Sequence, residues 1–190
     1  HLAASCFGQT NPTIATVNLP AEQVAREFAQ RSWQRTHGLP DDQVKSLLQT
    51  RNGFLWIGTG RGLARFDGLK FVVFDHLNTP ELTEDNCNSL AEDSEGNVWI
   101  STNDGLVRCR DGKFTRFTRR DGLPVTHGVP KDIVGAVCAD RHGGVWCLPR
   151  WSVVRFQDGR FTKHLDAKGV PSDIMLTLHR DRADVLWVGG

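Results

Sequence analysis

A tryptophan returns along this chain at a nearly constant interval, and that feature limits the fold more than any other. Trp56, Trp99, Trp146 and Trp187 stand 43, 47 and 41 residues apart. Three positions before them come Gly53, Gly96, Gly143 and, in the fourth copy, Asp184. Six before come Thr50, Asp93, Asp140 and Asp181. Gly62, Gly105 and Ser152 follow by six, Arg65, Arg108 and Arg155 by nine, and Phe71, Phe114 and Phe161 by fifteen. Each of these phenylalanines lies just past an Asp-Gly turn, at Asp67-Gly68, Asp111-Gly112 and Asp158-Gly159. Agreement at so many places in register marks an internal repeat.

Within one unit, short apolar segments alternate with turn residues. Val44 to Leu48 reads as a strand, Phe54 to Gly58 as a second, Leu63 to Phe66 as a third and Lys70 to Phe74 as a fourth. Thr50-Arg-Asn-Gly53, Thr59-Gly-Arg-Gly62 and Asp67-Gly68 supply the turns, glycine for positive φ and Asp or Asn for capping. Trp, Ile, Val and Phe suit a pleated sheet, and no 3.6-residue period competes. Four antiparallel strands in about 40–45 residues make one propeller blade. The expected fold is therefore all-β, a β-propeller fragment of four-stranded antiparallel blades, about three complete and a fourth partial.

Composition agrees. There are 19 glycines and six tryptophans beside no tyrosine and one methionine, which is the repeat showing through. With 23 basic and 22 acidic residues the formal charge is +1, without the basic excess of a nucleic-acid binder. Hydrophobic residues at 39% suffice for a packed core. No apolar run reaches the ~18 residues of a membrane helix.

Residues 1–30 read as a leader. His1 to Gln9 fits the tail of a signal peptide or a plain short leader, and Pro20 to Ala29 a short helix. Residues 31–36, around Trp33, read as an outer strand that closes a blade. Blades are then expected at about 38–75, 81–118, 122–165 and, partially, 169–190. Cys6, Cys87, Cys109, Cys138 and Cys147 contain no C-x-x-C, and the seven histidines lack ligand spacing, so no metal or other cofactor is expected. Cys138 and Cys147 flank a turn at Arg141 to Gly144, which would allow a cross-strand disulfide in an oxidising compartment.

Val44 to Phe71 contains V-x-S-L-x-Q-x-R-x-G-F-L-W-I-G-T-x-x-G-L-x-R-F-D-G-x-x-F, and this unit resembles the two-component regulator propeller repeat. Asn86 to Phe114 and Val134 to Phe161 resemble it too, and Ile174 to Gly189 is a shortened copy. The resemblance implies the periplasmic sensory part of a membrane-anchored bacterial receptor, usually a seven-bladed ring followed by a β-sandwich, a membrane helix and a kinase or cyclase. Three blades and a fragment cannot close such a ring, so both end faces of this chain are expected to be unpacked and self-association to follow.

Residues that recur in every blade read as scaffold: the tryptophans packing between blades, the aspartates capping their own hairpins, the arginines making one repeated interblade or surface contact. Recognition is sought where copies differ. The loop leading into the first strand and the turn between strands two and three share one face of a blade. On that face the third copy alone duplicates its leading loop, Gly122 to His127 ahead of Gly128-Val-Pro130, and carries Arg150-Trp151 in place of a small turn. An aromatic beside an arginine can stack on a ring and pair with a carboxylate. Trp151, Arg150, His127, Lys131 and Asp132, with Arg61 and Asp104 on the neighbouring turns, are the candidate ligand-binding residues, and no catalytic residue is assigned. Expected partners are a small molecule or oligosaccharide, or a neighbouring propeller, with membrane contact only through segments outside this chain and a homodimer of the full receptor. The enzyme alternative is a sialidase-type propeller. Asp93 to Trp99 comes near its Asp-box, S-x-D-x-G-x-x-W, but the aspartate stands one position early and no tyrosine is present. A protein-binding scaffold without small ligand is the third reading.

Overall fold

A computed structural model describes residues 31–124, 131–149, 152–166 and 177–189. The expected leader and helix at 1–30 lie outside these residues, as do the duplicated loop from 125 on, Arg150-Trp151 and the loop leading into the fourth blade. The chain divides into His1–Ser32 and Trp33–Gly190, and the second unit holds every strand described here.

Three sheets repeat one plan. The first contains β1 (Val44–Gln49), β2 (Leu55–Thr59), β3 (Gly62–Phe66) and β4 (Phe71–Phe74). The second contains β5 (Cys87–Glu92), β6 (Val98–Thr102), β7 (Gly105–Arg110) and β8 (Lys113–Phe117). The third contains β9 (Val134–Ala139), β10 (Val145–Pro149), β11 (Ser152–Gln157) and β12 (Arg160–Asp166), and β13 (Thr177–Arg180) pairs with β14 (Leu186–Gly189). Strands neighbour one another in chain order, and every pairing is antiparallel. Among the described residues helix is confined to two short 3-10 turns, Arg35–His37 and Arg119–Asp121. This is a β-propeller fragment, as the repeat implies.

The turn after the first strand explains the six-residue spacing of aspartate and tryptophan. Asp93 Oδ1 accepts the amides of Glu95 and Asn97 at 3.0 and 2.9 Å, while Oδ2 accepts Asn97 Nδ2 at 2.8 Å and the Trp99 indole N–H at 2.7 Å. Asp140 and Asp181 hold Trp146 and Trp187 in the same way, at 3.1 and 2.9 Å. One carboxylate thus closes the hairpin and fixes the ring that its second strand presents.

Those rings build the core between sheets. Trp56 packs with Leu90, Val98, Ile100 and Val107 of the second sheet; Trp99 with Val137, Val145, Cys147 and Val154 of the third. Trp146 meets Leu178, Leu186 and Val188. Trp187 presents the same face to solvent and is 59% exposed. At the opposite end Leu47, equivalent in register to Leu90 and Val137, is 62% exposed.

Two expectations change and one is made specific. The repeated arginines make one contact in every blade: Arg65, Arg108 and Arg155 lie directly opposite Trp56, Trp99 and Trp146 in the register. Their guanidinium carbons sit 5.8, 5.7 and 5.5 Å from those rings, cation–π contacts within each sheet. Cys138 stands opposite Trp146 and Cys147 opposite Val137, so the two side chains leave opposite faces of the sheet and cannot be joined. Both thiols are free, and burial pushes Cys138 up to about 11 and Cys147 further still. Finally, residues 31–36 form no strand: Arg35–His37 is a 3-10 turn, and Trp33 packs edge-on against Phe66 with centroids 5.3 Å apart.

Candidate functional site

The leading loops and the turns between second and third strands do meet on one face. Gly62 N–H donates to the Asp85 carbonyl and Gly105 N–H to the Asp132 carbonyl, each at 2.8 Å. Each turn is therefore hydrogen-bonded to the loop that leads into the next blade. Gly105 has φ +117°, and a Cβ there would lie 2.6 Å from the Phe117 carbonyl oxygen, so the close approach requires glycine.

Asp132 is scaffold. It is 5% exposed and accepts the Arg119 amide at 2.8 Å and Arg119 Nε at 2.6 Å. Asp42 accepts the Arg35 amide at 2.9 Å, and Asp85 accepts the His76 amide at 2.9 Å and its ring nitrogen. The shared job is to tie the exit of one outer strand to the loop that starts the next blade. A sequence signal existed: Asp42, Asp85, Asp132 and Asp173 each precede their tryptophan by fourteen residues. By the rule that recurring residues are structural, Asp132 leaves the list of independent ligand contacts.

Lys131 is half-exposed and pairs with Glu84 in the leading loop of the preceding blade. Arg61 is exposed; its amide donates to Thr59 Oγ1, and its guanidinium makes no ion pair among the described residues. Asp104 holds the most developed arrangement. Its Oδ2 accepts Thr83 Oγ1 at 2.7 Å and pairs with Arg116 Nη1 at 2.5 Å, and the same Nη1 reaches Thr83 Oγ1 at 2.9 Å. Trp151, Arg150 and His127 lie outside the described residues.

Thr83, Asp104 and Arg116 all depart from the repeat. Thr83 stands where the other copies have Pro40, Pro130 and Pro171, Asp104 where they have Arg61 and Trp151, and Arg116 where they have Val73 and Lys163. Beside this trio lies a cavity of about 280 Å³ lined by Asp104, Arg116, Thr118, Arg119, Arg120 and Asp132. The structure thus brings Asp104 and Asp132 to one cleft and adds three arginines that sequence comparison between the blades did not single out. No group of three His, Cys, Asp or Glu among the described residues could hold a metal ion.

Residues 38–61 and 81–104 match the two component regulator propeller family. The extracellular domain of a hybrid two component system from B. thetaiotaomicron superposes with a TM-score of 0.70 at 20% identity, over 84% of this chain and 22% of that one. The extracellular domain of a one component system from the same organism gives 0.64 at 20% identity, over 77% and 20%. Virginiamycin B lyase from Staphylococcus aureus gives 0.59 at 15% identity, over 79% and 50%. The chain spans about a fifth of the length of the two receptor domains. No curated protein sequence matches it.

Proposed function

Because residues 38–61 and 81–104 match the two component regulator propeller family, we propose that the chain belongs to the extracytoplasmic sensor of a bacterial signal-transduction receptor and is not itself catalytic. Its loop face recognises a ligand or a neighbouring propeller, and binding biases the receptor between arrangements through differential affinity. The observation that carries this reading is the blade-specific trio of Thr83, Asp104 and Arg116, set on the face where the scaffold is otherwise repeated. Arg61 and Lys131 flank it, and Arg150, Trp151 and His127 are proposed as further contacts from the sequence repeat alone.

The propeller scaffold also serves enzymes, the similar lyase among them, so the face and not the fold supports the choice. The test is a transcriptional or second-messenger readout from the full receptor in its own cell. Asp104→Ala and Trp151→Ala are expected to abolish inducible output at unchanged protein level, while Glu95→Ala, on the opposite turns, leaves it intact. Full induction in both loop-face variants would overturn the reading, as would substrate turnover by the purified chain.

A further inference from the structure

We propose that the cleft between the second and third blades binds a small oxyanion, a carboxylate or a sulfate, through Arg116 and Arg120. The inference rests on the loop face being the recognition surface and names the chemistry it selects.

Three observations carry it. The first is charge. Three guanidinium groups line the cavity against two carboxylates. Arg116 is matched to Asp104 and Arg119 to Asp132, each at 2.5 Å. Arg120 makes no ion pair among the described residues; its amide donates to Thr118 Oγ1 at 3.2 Å. Asp121, the next carboxylate along, does not line the cavity, is exposed, and accepts the Thr118 amide and hydroxyl, both at 2.9 Å.

The second is donor geometry. Arg116 makes all its hydrogen bonds, to Thr83 Oγ1 and to the main-chain and side-chain oxygens of Asp104, through Nη1 alone. Its Nη2 and Nε N–H groups therefore have no acceptor among the described residues, although the guanidinium is already held in place. A fixed guanidinium with unused donors on one edge matches the paired oxygens of an oxyanion.

The third is specificity to this blade. The positions of Arg116 and Arg120 hold Val73 and Leu77 one blade earlier, so neither arginine is demanded by the repeat. The cavity of about 280 Å³ has room for a ligand of several heavy atoms.

The experiment titrates the purified chain with sodium succinate and, separately, sodium sulfate by calorimetry, ionic strength being held with sodium chloride. Saturable binding of at least one anion is expected, with Arg120→Gln weakening it about five-fold or more and Arg160→Gln, on an outer hairpin, leaving it unchanged. Succinate alone would assign a carboxylate ligand, sulfate alone a sulfate. Arg116→Gln also strips Asp104 of its partner, so the exposed Arg120 decides. No saturation by either anion, or equal affinity in Arg120→Gln, would overturn the proposal. Receptor output that needs Asp104 while Arg120→Gln signals normally would overturn the ligand class and leave the sensor reading standing.

Discussion

Trp99, Trp146 and Trp187 are each held by one aspartate that collects several donors, and this shapes what acid does to the molecule. Burial works to raise the pKa of Asp140, but the amides of Gly144 and His142 and the Arg155 guanidinium outweigh it and hold the carboxyl below its usual value. Asp181 is lowered first by the Trp187 indole N–H and then by the amides of Val185 and Ala183. A folded pKa below the unfolded one gives stability that is present above the unfolded value and lost as pH falls through the folded value. Thermal melts are therefore expected to hold steady near neutrality and to drop once pH passes below about 4, the ordinary carboxylate value. Asp140→Asn keeps the shape but not the acceptor capacity or charge. It should cost about 1–3 kcal/mol at neutral pH and flatten the acid loss; an unchanged melting profile would contradict the assignment.

At the scale of the element, the close approach of turn to neighbouring strand is the constraint. A methyl group at Gly105 would meet the Phe117 carbonyl, a main-chain atom that cannot swing aside, in a backbone region that side chains rarely adopt. Gly105→Ala should therefore destabilise by more than about 1 kcal/mol, measured by denaturant melts, whereas Gly112→Ala, with open space around it, loses only its positive φ. Strand positions were legible because the alternation and turn residues of this repeat are local: β1 to β4 fall within a residue or two of their expected limits. Pairing partners were less so. Setting Arg65, Arg108 and Arg155 against the tryptophans of their own sheet depends on the register across a hairpin, and a one-residue change of register reverses every face. Cys138 and Cys147 fell to the same effect. The candidate site was half legible. Asp104 was legible as a residue of the loop-face turns, but its partners Thr83 and Arg116 come from a loop and an outer strand that only the folded sheet brings together.

Across the whole molecule, contacts run from each sheet to the next in chain order. Trp56 meets the second sheet, Trp99 the third and Trp146 the fourth, and the cross-turn bonds of Arg51 to the carbonyls of Asp93 and Ser94 and of Arg141 to that of Arg182 follow the same direction. At the two ends, Leu47 and Trp187 face solvent. Within this stretch the packing runs between neighbouring sheets, so stability is carried mainly by nearest-neighbour contacts. Amide exchange should record this as a gradient, slowest in β6 and β7, which lie between two sheets, and fastest in β1 and β14 at the margins. Uniform protection from Val44 to Gly189 would mean that the molecule opens only as a whole. A graded pattern would mean that its ends breathe while its middle holds, leaving the cleft between the second and third blades on the slowest-opening part of the chain.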